Sequence, residues 1–232
     1  SRHWLFNREH MLAAGGFDAE YAYALELDLI LRLIEHPQFT NFAHCCEPLI
    51  SSPNLCTQEN PDQIPALLRH LRSRGSGNGE VHRNQSGKYR ISYNHHNQPK
   101  VSILVTCENQ LETLVTCIES LLEKTAWPDY EILIADNASK NEPTTQWLAA
   151  MDELQSDKIR ILRHGQRLSR SALINSAARF ARGEFLLLLA NNISVVEPRW
   201  LHNLLNHGQR AEVGITGSKV IAMDGSLLHA GI

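Results

Sequence analysis

The sequence predicts an α/β fold in which a mostly parallel sheet is flanked by helices. From Pro99 onward, short apolar runs alternate with segments whose apolar residues recur at helical spacing. Alternating strands and helices of this length are typical of right-handed crossovers between parallel strands. The stretch 183–200, GEFLLLLANNISVVEPRW, places a five-residue apolar run between turn signals, which indicates a strand covered on both faces. Asn191 and Asn192 follow that strand, at the end where ligands bind in open α/β sheets.

The elements of this sheet follow one another from residue 99. We predict strands at 101–105, 130–135, 158–162 and 185–189, helices at 111–124, 143–154 and 169–181, a helix opened by Pro198, and a last strand within 211–221. Proline suits the first turn of a helix, because its missing N–H has no intrahelical partner there. A turn at 223–226 follows, and no terminating element comes after it. We therefore expect 99–232 to be the first part of a domain.

The first 98 residues divide into two parts. Residues 1–52 carry helices at 7–14 and 24–35 and a strand at 39–43, and they are too few and too acidic for a domain of their own. We expect them to be the end of a preceding domain, so that the chain is incomplete at both ends. Residues 53–98 are predicted to be a linker, with a helix at 61–74 and a hairpin at 81–93.

Composition limits the classes of function. The formal net charge of −3 gives no global sign of polyanion binding, so we expect no nucleic-acid partner. Five cysteines without regular spacing indicate reduced thiols and a cytoplasmic location, and no apolar run approaches the length of a membrane span. One segment, 69–100, is basic and has Glu80 as its one acid. It is interpreted as a solvated linker or as a surface for an anionic membrane or lipid, and the two interpretations remain open.

The strand ends exclude the two commonest nucleotide sites. The turn 106–109 after the first strand of the sheet contains no glycine, although a dinucleotide site needs glycines there for close approach of the pyrophosphate. A Walker-type loop is also absent from the sequence. Asp136 follows the second strand of the sheet, where an acid accepts hydrogen bonds from a ribose or a base. It equally suits an Asx-turn, and the residues alone do not decide between the two.

Taken together, several stretches resemble the family 2 glycosyltransferases, inverting enzymes of the GT-A fold, which is Rossmann-like. In residues 99–232 the matching stretches are PKVSILVTCENQLETLVTCIESLLEKT, YEILIADNAS, NSAARFARGEFLLLLANNISVVEPRWL and DGSLLHAGI. Residues 1–52 resemble the second half of such a domain through AAGGFDAEY and LELDLILRL. The linker resembles those that join tandem domains of the family. The resemblance thus covers nearly the whole chain and implies tandem GT-A domains.

The resemblance also implies roles for individual residues. Family members hold the base and ribose of a nucleotide-sugar at the first two strand ends of the sheet, and they bind its diphosphate with a divalent cation, Mn²⁺ or Mg²⁺, held by acids after the fourth strand. A carboxylate in the second half of the domain takes the proton of the acceptor hydroxyl. The matching positions here are Cys107, Asp136, Asn191 and Arg167 for the nucleotide-sugar, Asn192 for the metal, Glu26 for the base, and Gly16, Phe17 and Asp18 for the acceptor.

The sequence departs from the family pattern at three places, one at the metal position and two elsewhere in the donor half. Asn192 stands in the position of the metal-binding acid, and an amide oxygen is a weaker ligand than a carboxylate for a hard cation. Glu108 stands where an aromatic residue is usual. Arg167, Ser169 and Arg170 replace an Asn-x-Gly-aromatic sequence near the donor, and two arginines there suit either a diphosphate bound without metal or the surface of a decayed site.

The resemblance therefore implies an inverting transfer of sugar from a nucleotide-sugar to a hydroxyl of a cell-surface glycan or lipid-linked acceptor, in polysaccharide biosynthesis. The alternative is a catalytically silent module that keeps the fold and serves as a scaffold or as a glycan- or nucleotide-binding unit. Asn192 favours the alternative, whereas Asp136 is compatible with both. A dehydrogenase is disfavoured because the glycines that it requires are missing.

Overall fold

A computed structural model describes residues 4–36, 43, 45, 47, 51, 60–85 and 87–230. The chain forms two compact units, Ser1–Asn94 and His95–Ile232.

In its described residues, the first unit contains three α-helices, a short 3₁₀ turn and a hairpin. Its elements are α1 (Arg8–Ala13), a short 3₁₀ turn (Ala19–Tyr21), α2 (Leu25–Glu35), α3 (Gln63–Ser73), β1 (Glu80–Arg83) and β2 (Tyr89–Ser92). Asn7 caps α1, since its side chain accepts hydrogen bonds from the backbone N–H groups of Glu9 and His10. The predicted helices and the hairpin are confirmed. The strand predicted at 39–43 lies, apart from residue 43, outside the described residues.

Helix α3, which was predicted as part of a linker, packs against α2 within this unit. The apolar contacts come from Tyr21, Ala24 and Leu31 on one side and from Ala66 and Leu67 of α3 on the other. Ala66 is fully buried. The small side chain of Ala66 allows the two helices to approach closely, so α3 belongs to the folded unit.

The second unit is a four-stranded parallel sheet with helices on both faces. In chain order its elements are β3 (Val101–Cys107), α4 (Leu111–Lys124), β4 (Tyr130–Asp136), α5 (Glu142–Glu153), β5 (Ile159–Arg163), α6 (Arg170–Phe180), β6 (Phe185–Ala190), α7 (Trp200–Gly208), β7 (Val220–Ile221) and β8 (Leu227–His229). The strand order is β5-β4-β3-β6, and every neighbouring pair is parallel. The predicted α/β class is confirmed, and the order places β3 in the interior of the sheet.

Two cores of different size lie on the two faces of the sheet. The larger core joins β3, β4 and β5 to α4, α5 and α7 and includes Ile103, Ile132 and Leu201. The smaller core joins Leu104 and Leu133 to Leu173 and Ala177 of α6. Because α6 packs over β3 and β4, it leaves β6 uncovered on that face.

Two expectations for the end of the chain were wrong. Strand β6 was predicted to be covered on both faces, but it is an edge strand on which Leu186 and Leu188 are 50% and 60% exposed. The strand expected within 211–221 is reduced to Val220–Ile221, which pairs antiparallel with β8 through a turn at Gly225. Gly214 and Gly217 interrupt the preceding residues, and glycine disfavours a continuous strand.

Candidate functional site

A cleft of about 850 Å³ opens at the carboxyl ends of β3, β4 and β6 and at the start of α6. This is the edge at which open parallel sheets bind ligands. Residues of β3, β6 and α6, of the loops after β3, β4 and β6, and of the loop before α6 line the cleft: Thr106, Cys107, Glu108, Asn109, Gln110, Asn137, Arg167, Leu168, Ser169, Arg170, Leu173, Ala190 and Asn191.

Asn137 fixes the shape of the cleft. This side chain is buried, and its Oδ1 accepts a hydrogen bond from the backbone N–H of Leu168 at 2.8 Å. Its Nδ2 donates to the carbonyl oxygen of Leu168 at 3.1 Å and to Oε2 of Glu108 at 3.3 Å. One amide therefore ties the end of β4 to the loop before α6 and to the loop after β3.

The charges of the cleft come from two arginines and one glutamate. Nε of Arg167 lies 2.9 Å from Oε1 of Glu108, and the two side chains are 76% and 36% exposed. Arg170, the first residue of α6, also lines the cleft and forms no ion pair with any residue that the structure describes. The lining is thus left with an excess of positive charge.

Asp136 lies outside the cleft lining and contacts Cys107, which is part of the lining. Asp136 is 4% exposed, and its Oδ1 accepts hydrogen bonds from the backbone N–H of Ser139 at 3.2 Å and from the thiol of Cys107 at 3.7 Å. Burial, together with the neighbouring Asp136 carboxylate, raises the pKa of Cys107 to about 12. At neutral pH the Cys107 thiol therefore remains protonated and acts as a hydrogen-bond donor. The Asx-turn interpretation of Asp136 is thus observed, and its contact with a nucleotide stays a prediction.

The residues after β6 do not fit a divalent cation. Nδ2 of Asn191 donates to Oε1 of Gln110 at 2.7 Å, and Asn192 is exposed and does not line the cleft. Among the described residues, no three His, Cys, Asp or Glu side chains come together in a group that could hold a metal ion. Hard cations prefer carboxylate oxygens, and the polar side chains here are amides.

The first unit holds the residues predicted for the acceptor and the base. Gly16 has a φ of 66°, a conformation that glycine adopts without strain. Asp18 caps the 3₁₀ turn by accepting from the backbone N–H of Glu20 at 2.9 Å, and Phe17 is half exposed. Glu26 lies, partly buried, in the first turn of α2. Glu26 therefore lies at the start of the helix that follows the loop carrying Gly16, Phe17 and Asp18.

A buried carboxylate network holds this loop. Asp28 is fully buried and pairs with Arg32 at 2.7 Å and with Arg69 of α3 at 3.2 Å. Arg32 in turn donates to the carbonyl oxygens of Ala14 and Gly16. Arg32 donates a hydrogen bond to Asp28, and Arg69 places a second positive charge beside it, so the buried carboxylate has partners of opposite charge. Arg69, a member of the basic segment 69–100, therefore pairs with a carboxylate inside the first unit.

Sequence reasoning did not single out Asn137, Gln110 or Leu168 as parts of the site. Asn137 stands next to Asp136 at the end of a predicted strand, a signal that could have marked it. Gln110 and Leu168 carried no signal, because their roles depend on partners 81 and 31 residues away. The structure brings Cys107, Arg167 and Asn191 together in the cleft lining, whereas Asp136 and Asn192 lie outside that lining.

Comparison with known proteins finds one matching family model and curated relatives that match along nearly the whole chain. The model of the family described as "Glycosyl transferase family 2" matches residues 102–227, more than half of the chain. The O-antigen biosynthesis protein RfbC of Myxococcus xanthus is 33% identical over all of this chain and 18% of its own length. The uncharacterized protein y4gI of Sinorhizobium fredii is 28% identical over 98% of this chain and 26% of its own length. The chain thus spans less than a third of either curated relative.

Among solved structures, the mannosyltransferase PcManGT of Pyrobaculum calidifontis, in complex with GDP-Man and Mn²⁺, is 19% identical and gives a TM-score of 0.47. The aligned part covers 51% of this chain and 35% of that protein. In the part of this chain that the structure describes, no helix has the length and apolar character needed to cross a bilayer. The match of the family model over 102–227 identifies the chain as a member of glycosyl transferase family 2.

Proposed function

We propose that this chain takes part in transferring a sugar from a nucleotide-sugar to a hydroxyl of a cell-surface glycan, with inversion at the sugar carbon. The observation that carries the proposal is the cleft at the ends of β3, β4 and β6, which lies within the segment that matches the family. An O-antigen biosynthesis protein among the relatives supports a role in polysaccharide assembly. A nucleotide-sugar in the cytoplasm would be the donor.

On the donor side, the cleft of the second unit would receive the nucleotide. Cys107 and Asp136 would face the base and the ribose, and Arg167 would meet the diphosphate. Asn191 would lie beside the sugar. Asn137 would keep these groups in place, since it joins the loops on which Glu108 and Leu168 lie.

On the acceptor side, we propose that Gly16, Phe17 and Asp18 contact the acceptor and that Glu26 is the base. The Glu26 carboxylate would take the proton of the attacking hydroxyl. The hydroxyl oxygen would form the new bond to the sugar carbon as the bond from that carbon to the diphosphate breaks, and the nucleoside diphosphate would leave. In this proposal residues 1–52 are the acceptor half of one domain, and Glu26 would act on a sugar held by the donor half of that same domain. The segment 53–98, whose helix α3 packs on residues 1–52, joins this domain to the next, of which 99–232 are the donor half.

The contact between Asp136 and the nucleotide provides a test. Asp136→Ala should weaken binding of UDP or GDP, whichever the wild-type chain binds, by about 1–3 kcal/mol, since a hydrogen bond to a charged group is lost. Isothermal titration calorimetry measures the affinity, and near-UV circular dichroism verifies the fold. The matched control is Asp157→Ala, because Asp157 is exposed and lies outside the cleft.

Two results would count against the assignment. If Asp136→Ala lowers the free energy of unfolding but leaves nucleotide affinity unchanged, Asp136 is a turn residue only. If the wild-type chain binds no nucleoside diphosphate or nucleotide-sugar, with or without Mn²⁺, the proposed donor site is wrong.

The second candidate is a catalytically silent glycosyltransferase-like module. The side chains after β6 favour this silent module, because the amides of Asn191 and Asn192 stand where the family has the acids that bind its metal. Such a module would bind a nucleotide or a glycan without transferring sugar. A chain that binds nucleotide-sugar and neither hydrolyses it nor transfers its sugar to added acceptors would support this candidate over the enzyme.

A further inference from the structure

The ion pair across the cleft competes with any anion that enters. Oε1 of Glu108 lies 2.9 Å from Nε of Arg167, and both side chains are partly exposed to solvent. An exposed pair of this kind contributes about 1 kcal/mol or less, so opening it costs little. Arg170 lines the same cleft and is bound to no carboxylate among the described residues. The cleft therefore offers one guanidinium at once and a second when Glu108 is displaced.

The same cleft lacks the groups that would hold a cation on a diphosphate. Ala190, Asn191 and Asn192 follow β6, and Glu108 is the sole carboxylate in the lining given above. A diphosphate still needs positive charge around it. Guanidinium groups provide that charge with paired N–H donors that match phosphate oxygens, and they remain charged at any physiological pH.

From these two observations we infer that the cleft binds the diphosphate of a nucleotide through Arg167 and Arg170 without a divalent cation, and that Glu108 is an internal competitor for Arg167. The inference rests on the proposed function, because it takes a nucleotide as the occupant of the cleft. Asn137 supports the exchange: its Nδ2 also donates to the backbone of Leu168, so it keeps a partner when Glu108 moves away.

The first measurement compares ligands and metal. UDP, GDP, uridine and guanosine are titrated into the chain by calorimetry, once in EDTA and once in Mn²⁺. We expect at least one diphosphate to bind in both buffers with dissociation constants within about twofold of each other. The matching nucleoside should bind at least roughly tenfold more weakly, since a hydrogen bond to a charged group is worth about this much or more.

The second measurement is a double-mutant cycle in EDTA. Arg167→Gln should weaken the bound diphosphate roughly tenfold, and Glu108→Gln should tighten it about twofold to fivefold, the value of an exposed ion pair. In the Arg167→Gln background, Glu108→Gln should bring no gain. Arg179→Gln is the matched control: Arg179 lies in the last turn of the same helix as Arg170 and outside the cleft, so affinity should not change.

Each contrary result has its own meaning. Binding of a diphosphate in Mn²⁺ and not in EDTA overturns the inference and leaves the proposed donor site standing. Equal affinity for nucleoside and diphosphate overturns the role of the arginines. If Glu108→Gln still tightens diphosphate binding in the Arg167→Gln background, the gain is a general effect of removing a negative charge. That result overturns the inference that Glu108 competes for Arg167. Absence of binding by all four ligands in both buffers overturns the inference and the proposed donor site together.

Discussion

At the scale of single residues, the end of the sheet opposite the cleft is held by one buried carboxylate. Glu131 is 1% exposed and accepts hydrogen bonds from Ser102 Oγ at 2.7 Å, the backbone N–H of Arg182 at 2.6 Å and Arg160 at 3.1 Å. Burial acts to raise the pKa of Glu131, but these hydrogen bonds outweigh it and lower the pKa below its usual value. Gly183 closes the arrangement by donating to Ser102 Oγ at 2.8 Å.

This close approach leads to a prediction for Gly183. A Cβ at this position would lie 2.6 Å from the backbone nitrogen of Ser102 and 2.7 Å from the carbonyl oxygen of Lys100. Gly183→Ala should therefore lower the free energy of unfolding by about 1–3 kcal/mol, as overpacking does. Urea unfolding measures the loss. Gly165→Ala is the control, because a Cβ at Gly165 meets nothing within 4 Å, and equal effects of the two changes would contradict the prediction.

The sequence showed Gly183 as a turn residue and left Asp136 open between a turn residue and a nucleotide contact. The reason for the glycine at 183 is an approach to Ser102, 81 residues earlier in the chain, and no local pattern contains it. For Asp136 the local pattern suffices for the turn, since Ser139 is three residues away. The sequence could therefore predict which residues lie at strand ends. Their distant hydrogen-bond partners, which determine their roles, could be identified only from the structure.

At the scale of elements, helices α2 and α3 are joined by a polar contact at their margin as well as by apolar packing. Glu35 of α2 accepts from Arg69 at 3.1 Å and lies 2.6 Å from Nδ1 of His70, both on α3. Burial acts to raise the pKa of Glu35, but the hydrogen bonds from His70 and Arg69 outweigh it, and the pKa lies below its ordinary value of 4.5.

A pKa lowered by folding makes this contact dependent on pH. Its contribution to stability is fully present above pH 4.5 and is lost as the pH falls through the lower pKa of the folded state. Glu35→Gln should therefore speed amide hydrogen exchange in α2 at pH 7, by an amount equivalent to about 1–3 kcal/mol, and the difference should shrink toward zero in acid. Mass spectrometry measures the exchange, with rates corrected for the intrinsic effect of pH.

Glu80→Gln is the matched control for that prediction. Glu80 also lies close to a histidine, His82, at 3.2 Å, but its side chain is 61% exposed. An exposed pair contributes little, so exchange in α2 should not change. A difference between wild type and Glu35→Gln that is as large in acid as at pH 7 would show that the Glu35 charge is not responsible.

The elements themselves were largely predictable, and the exceptions have physical reasons. Helix α4 and strands β3 and β4 were placed within two residues of their bounds, because continuous apolar runs and helical spacing are strong local signals. For β6 the run of leucines indicated a strand correctly. Whether a helix covers each face depends on where α6 packs, and this depends on the tertiary structure.

At the scale of the whole molecule, the chain consists of two compact units, and the second contains all four described strands of the parallel sheet. Residues 95–232 should therefore fold without the first unit. A fragment of these residues should show a cooperative urea transition and the nucleotide affinity of the full chain. The control fragment 108–232 lacks β3, which pairs with both β4 and β6, so it should not fold. A fragment 95–232 without a cooperative transition would contradict the prediction.

The cleft of the second unit draws its lining from residues as far apart as 106 and 191, carried by strands β3 and β6, helix α6 and the adjoining loops. A ligand of this cleft can therefore bind only after the sheet has assembled. An occupant at 100 times its dissociation constant stabilises the assembled form by about 2.7 kcal/mol, which lowers the population open to proteases roughly a hundredfold. In a cell, the lifetime of this unit would then follow the supply of the molecule that it binds, so that scarcity of the ligand would lower the amount of protein present.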